Sequence, residues 1–410
     1  MVYHHIQLLY CSCGITFAEA SKRFKRTFQN WFPIISPQRL RKLVAATEDG
    51  TPAADDSILL LSICLVTAQP ADDVAGIAAP TAALYAAMKM LYGQVQAVVQ
   101  GSITLVQAGL IISAYEYASN RLDSAYVSIA ACARMAQSTG IDLSAFRAAQ
   151  RDTETTLRPD AMEHCNIWWA IVILERFIML ETCRNRYQSP TAACPDYGFS
   201  LPFDFDGGDT PTIRGGSNVT IPSQSSYGLR SFAQQAQAVH LLDRILRIIS
   251  SPDNPERRLW QLLELDGKLQ KDLLELMQER LRPGGLKCGA IATLIRSLYV
   301  LHQEIIATAP ILSSLADHES WQRRSKAALD TATRIMAEVA EHHLDHIVHH
   351  GVDSLPFCCA GNLRVAKKYI KHHCRGCCNG DDFSRSGLRQ LMLLEEAFCD
   401  RWGAPVTYAG

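Results

Sequence analysis

Apolar residues recur at steps of three and four along most of the chain, the spacing of the inner face of an amphipathic helix. Ile103, Val106, Leu110, Ala114 and Tyr117 make one such row, and Thr104-x-x-Gln107 offers a capping box at its start. Asp123 is placed to cap a second helix, whose row reads Ala125, Ile129, Cys132 and Ala136 before Gly140 supplies a stop. Together they predict a tight helical hairpin. A third helix opens behind Pro159 with Asp160-x-x-Glu163 and runs through Trp168, Ile171, Leu174 and Ile178. Its Glu175 and Arg176 interrupt what would otherwise read as a membrane segment. The uncharged run Ile58 to Ala68 is 11 residues long, short of the roughly 20 that a membrane span needs, and predicts a buried helix.

From Cys183 to Tyr227 the periodicity dissolves into prolines and glycines, a stretch too long for an ordinary connection. It reads as a Pro/Gly-rich surface loop near 184–227. Helical spacing resumes over Phe232 to Ile249, Leu259 to Leu281, Ile291 to Ile306, Trp321 to His350, Leu363 to His373 and Leu388 to Trp402. No run alternates apolar and polar as a half-buried strand does, so the fold class predicted is all-α. Helices on both sides of the loop need partner faces, and the chain is expected to fold as one continuous helical body.

Composition narrows the picture. Of 410 residues, 48% are hydrophobic and 20% charged, and Lys+Arg 40 against Asp+Glu 41 leaves a net charge of -1. That excludes disorder and a polybasic tail, and any DNA contact must be local. Residues Gln7 to Ala20 resemble a short secretory core, but His4 and His5 are poor stand-ins for a Lys/Arg leader. The 14 cysteines are scattered from Cys11 to Cys399 rather than densely and evenly spaced, which suits reduced thiols in cytosol or nucleus.

The sequence lacks the motifs of common chemistry: there is no phosphate loop, G-x-G-x-x-G, nucleophile elbow or H-E-x-x-H. His318-Glu319 starts like a zinc protease helix, yet Gln322 stands where the second ligand belongs. Asp204, Asp206 and Asp209 miss the calcium-loop spacing. His342, His346 and His350 step by four along one face, and neutral imidazoles so placed can hold zinc or copper; a polar helix face is the plainer reading. Cys374-x-x-Cys377, behind His372 and His373, could supply thiolates, but no second knuckle matches it, so packing thiols are the default. No catalytic residue and no cofactor is assigned. Lys22, Arg23, Lys25 and Arg26, interleaved with Phe24 and Phe28, could meet phosphates or an import receptor; equally, they are the wet side of a helix whose dry side is the two phenylalanines. Tyr115, Tyr117, Tyr126, Trp168 and Trp169 are candidates to line a pocket for a small-molecule effector, with ordinary core packing the alternative for each.

The segment Asn30-Trp31-Phe32-Pro33-Ile34-Ile35, then Ser102 to Asp142, then Glu175-Arg176-Phe177-Ile178, resembles the middle homology region of fungal-specific transcription factors. Ser189-Pro190, Pro195-Asp196 with Leu201-Pro202, Leu355-Pro356 and the terminal Arg401-Trp402 follow in the same order. The resemblance implies a short N-terminal segment over 1–27 and a helical regulatory domain over 28–405. It also implies a nuclear regulator of transcription, often tied to a metabolic or secondary-metabolite gene cluster. Most members carry a six-cysteine binuclear zinc cluster ahead of this region, whereas upstream of Trp31 only Cys11 and Cys13 occur here. The expected partners are therefore the transcriptional machinery or a DNA-binding protein, with no membrane, no sequence-specific DNA reading by this chain alone, and only the Lys22 to Arg26 patch able to touch phosphates. The rival class is a metal-dependent biosynthetic enzyme built on the His342, His346 and His350 face.

Overall fold

A computed structural model describes residues 16–50, 52–69, 81–142, 159–182, 190–195, 200–202, 231–280, 288–312, 318–373 and 382–403. Among them the regular elements are all helices, as the periodicity predicts. Of the Pro/Gly-rich stretch near 184–227, only residues 190–195 and 200–202 are described, and the rest lies outside. The chain divides into two compact units, one of Met1–Thr182, Ser189–Thr220 and Phe398–Gly410, the other of Cys183–Gln188 and Ile221–Ala397.

Unit 1 holds α1 (Phe17–Arg26), α2 (Pro37–Asp49), α3 (Ala54–Thr67), α4 (Thr81–Val98), α5 (Ile103–Ala118), α6 (Leu122–Ser138) and α7 (Pro159–Thr182). α2 starts where Ser36 accepts from the Arg39 amide at 3.3 Å and Pro37 takes the first helical position, where a missing N–H costs nothing. At α5 the cap is Ser102, accepting from Leu105 N at 3.3 Å while donating to Asp55 Oδ2 at 2.6 Å. Thr104, expected in that role, lies inside the first turn. Asp123 likewise sits in the first turn of α6, with Arg121 at the cap. Asn120, at φ 57, makes the left-handed turn between α5 and α6, which an asparagine tolerates better than most side chains.

α5 is buried on every side from Thr104 to Ala118, and α3 from Ser57 to Thr67. Helices apolar all round belong in the middle of a body rather than on its surface. α3, α6 and α7 pack around α5 accordingly. Each large aliphatic that α3 buries, Ile58, Leu59 and Leu61 among them, contributes roughly 1.5–3 kcal/mol of transfer free energy.

Unit 2 holds α8 (Ser231–Ser250), α9 (Pro255–Arg280), α10 (Cys288–Thr308), α11 (His318–His350), α12 (Cys358–His373) and α13 (Asp382–Trp402), the last of which counts with unit 1 from Phe398 on. Here α10 is the buried centre, and α8, α9, α11 and α12 pack against it. Gly289, at its start, leaves room for Gln235 of α8, whose Oε1 lies 2.7 Å from where a Cβ would stand.

Candidate functional site

In unit 1 the residues of the recurring motifs converge on stretches of chain that are not helical. Trp31 to Ile35 lies outside the regular helices and is buried, so its carbonyls must find donors inside the protein. Gln107 of α5 donates to Ile34 O at 2.7 Å and also to Glu163, Asn166 of α7 donates to Pro33 O at 2.8 Å, and Gln29 donates to Ile35 O. Glu163 completes the lock by accepting from Ser36 N at 3.4 Å and pairing with Arg39 at 3.5 Å. Arg39 in turn donates to Thr104. Near this lock, burial and the neighbouring Asp55 push the Asp56 carboxyl up, against the pull of Arg39 and Thr104.

A second lock sits on α7. Glu175 and Arg176, respectively 3% and 1% exposed, pair at 2.8 Å. Glu175 accepts from the amides of Thr191 at 2.7 Å and Ala192 at 3.0 Å, while Arg176 donates to Ala192 O at 2.8 Å. The pair therefore grips residues 190–195 by both donors and acceptors of their backbone. Trp168 donates its indole N–H to Ala193 O at 3.2 Å, and Trp169 to Ser200 O at 3.0 Å. The ion pair in the apolar middle of this helix thus serves the loop that follows it.

A third buried charge fastens α4. Glu116 of α5 is fully buried and accepts from Tyr85 Oη at 2.8 Å and Lys89 Nζ at 2.9 Å. Lys89 also donates to Ser128 Oγ at 2.8 Å. Burial, then the hydrogen bond and charge of Glu116, push the Tyr85 phenol up to about 12, so it stays a donor. Arg121 lies over the Tyr85 ring at 4.7 Å.

Against this frame the aromatic candidates are core. Trp168 and Trp169 face loop carbonyls; Tyr117 lies 6.5 Å from Phe177, and Tyr115 lies 5.5 Å from Tyr85 and 6.3 Å from Trp402. Tyr126 is half-buried on α6. None of the five lines the interior cavity of unit 2 or the open groove beside Trp260 at the start of α9. Of the basic group, Lys22, Lys25 and Arg26 are exposed, Arg23 pairs with Glu19 at 3.5 Å, and Phe24 and Phe28 are buried and stacked at 5.2 Å.

The histidine face of α11 is drawn out along its surface. His342 and His350 are exposed, His346 is half-buried with Nε2 3.1 Å from Ser354 Oγ, and its ring lies 4.4 Å from that of His350. Among the described residues no three His, Cys, Asp or Glu side chains come together as a metal shell. Cys374 and Cys377 lie outside the described residues.

Two arrangements in unit 2 were not visible as sequence patterns. His302 of α10 meets Asp266 of α9 at 3.3 Å and Ser325 of α11 at 3.2 Å. These are the residue types of a hydrolytic triad, but serine and imidazole are buried among three helices, and the contact serves to join them. Burial raises the Asp266 carboxyl, yet the hydrogen bond and charge of His302, with a bond from Gln270, outweigh it and leave the group lowered. The interior cavity is lined by Cys288, Met336, His343 and Cys359 among aliphatics, with about 10 Å³ for the centre of a water-sized body. That is room for about one water, far from the several hundred Å³ of a ligand pocket. Hydrogen bonding to Cys358, then burial, push the Cys359 thiol well up, which keeps it a poor nucleophile.

Among the described residues no helix is long and apolar enough to cross a membrane. The sequence model of a protein family described as the fungal specific transcription factor domain matches residues 22–330. No curated protein and no solved structure matches the chain.

Proposed function

The chain belongs to the fungal specific transcription factor domain family, and on that premise we propose that it is a nuclear regulator controlling the genes of one metabolic or secondary-metabolite pathway. The observation that carries this is the extent of the match, residues 22–330 of 410, which takes in parts of both units. The locks support it: residues of the resembling segments, Gln107, Glu175 and Arg176, hold the non-helical backbone at Ile34, Thr191 and Ala192. A scaffold of this kind acts by presenting surfaces to other proteins, so the transcriptional machinery or a DNA-binding protein is the partner we assign. Reading of DNA sequence by these 410 residues is not expected, since they contain no six-cysteine cluster to organise a reading helix.

Deleting the gene and profiling transcripts tests the proposal. A coordinated change confined to the genes of one pathway, restored by the intact gene and accompanied by nuclear localisation of the tagged protein, is the expected result. An unchanged transcript profile would retire it.

A further inference from the structure

From Ser354 to Gly380 the sequence holds five Lys/Arg and no Asp/Glu, in a chain whose net charge is -1. Most of that run is α12, which lies beyond the stretch matched by the family. Its inner face is apolar: Leu363, Ala366, Tyr369 and Ile370 are buried. Lys368, Lys371 and His372 fall within about a quarter to a third of a turn of one another on the opposite side, at steps of three and four. Lys368 and His372 are exposed and Lys371 is half-buried, whereas Arg364, near them in register, keeps its Nε and Nη2 buried and presents little of its charge to solvent. Lys367 stands apart from this row and is neutralised by Glu395. Neither Lys368 nor Lys371 has an ion-pair partner among the described residues.

The charge extends onto α11. Tyr369 donates to Asp330 at 2.8 Å and touches Lys326 O, so it marks where α11 flanks α12. Lys326, Asp330, Arg334 and Glu338 follow one another at steps of four there, all exposed, so α11 offers Lys326 and Arg334 in alternation with two carboxylates.

We infer that this outer face of α12, with the flanking cations of α11, is a contact site for the phosphodiester backbone of a nucleic acid. Lys368 to His372 covers about 6 Å along the helix axis, roughly two phosphate steps on one strand of a duplex. An acidic polypeptide is the other polyanion such a face could meet, but protein contacts draw most of their affinity from Trp, Tyr and Arg anchors and are poor in Lys. None of the exposed large apolar side chains among the described residues lies on α12. Phosphates need no such anchor. The contact is weak and blind to sequence, a tether rather than a reader. The charge of α12 carries it alone, so its failure would leave the transcription reading standing.

The test uses the purified full chain and a labelled duplex of arbitrary sequence, followed by fluorescence anisotropy from about 50 to 200 mM salt. Expected are binding that weakens linearly on a log–log plot and, in K368Q/K371Q, weaker binding with a slope smaller by about 2. Both lysines are on the wet face, so melting should be unchanged and the variant's fold intact. Absence of binding by the unaltered chain at the lowest salt would overturn the inference. So would an unchanged slope in K368Q/K371Q, whatever K22Q/K25Q does. Tighter binding to polyglutamate than to duplex of equal charge would overturn it in favour of an acidic protein partner.

Discussion

Both units bury polar contacts, but these serve different tasks. In unit 1, Glu163 and the Glu175–Arg176 pair hold stretches of chain that have no helix of their own to satisfy their amides and carbonyls. In unit 2, His302 joins Asp266 to Ser325, Tyr299 meets Thr333 at 2.6 Å, and Tyr369 meets Asp330, each fastening one helix to another. A helix satisfies its own backbone, so the unit 2 contacts choose positions rather than rescue unpaired groups. Loss of one partner should therefore be felt much more in unit 1 than in unit 2.

Arg176→Met gives the largest expected effect. It leaves Glu175 buried without its counter-charge and Ala192 O without its donor, at a cost of about 3–5 kcal/mol. Tyr299→Phe in unit 2 removes one neutral hydrogen bond and should cost about 0.5–1.5 kcal/mol. Urea unfolding of both variants measures the difference, and equal losses would erase the distinction between the units. Next come the two close glycines. A Cβ on Gly109 would stand 2.5 Å from Tyr92 Oη and 2.6 Å from Cys132 Sγ, both tips of side chains with little room to swing. Gly109→Ala should cost about 1–3 kcal/mol. At Gly289 the obstacle is the end of a flexible glutamine, so Gly289→Ala should cost less, offset by the better helix propensity of alanine.

Acid separates the units by sign, with smaller effects. The Asp266 carboxyl is lowered in the folded chain, so its contribution is present above the ordinary value of 3.8 and is lost as pH falls through the lowered one. The Asp56 carboxyl is raised; the folded state keeps a proton that the unfolded state releases, and stability declines as pH rises from 3.8 through the raised value. Melting temperatures between about pH 3 and 6 should show Asp56→Asn stabilising unit 1 toward neutral pH, and Asp266→Asn removing part of the acid loss in unit 2. At the bottom of the scale, K22Q/K25Q should alter stability by no more than about 0.5 kcal/mol, since both side chains stand in water. A larger loss would mean that α1 depends on them for packing.

How far the sequence discloses this depends on whether the partner is near in the chain. The rows Ile103 to Tyr117 and Ala125 to Ala136 gave α5 and α6 because a helix's face repeats within a few residues. α2 and α4 have no row in the sequence reading. For α2 the signal was local and available in Ser36-Pro37, a cap followed by a first-turn proline. For α4 it was weak, because alanines, tyrosines and a single charge, Lys89, leave little contrast between its two faces. The tryptophans of α7 looked like pocket material because indoles suit pockets. Their true partners, Ala193 O and Ser200 O, stand 25 and 31 residues downstream, in a stretch with no pattern of its own. The row of cations on α12 was legible in principle, since it obeys the same spacing as an apolar face. A balanced total of 40 and 41 hides where those charges sit.

The placement of the indoles has an optical consequence. All six tryptophans fall among the described residues, and Trp31, Trp168, Trp169, Trp321 and Trp402 are buried while Trp260 is 55% exposed. A quencher dissolved in the buffer meets a single chromophore, at the foot of α9 and edge-on to Trp321 at 5.6 Å. The light it extinguishes reports on unit 2. The emission that survives comes mainly from the four indoles of unit 1, so one cuvette follows the two halves of the chain by two colours of the same residue.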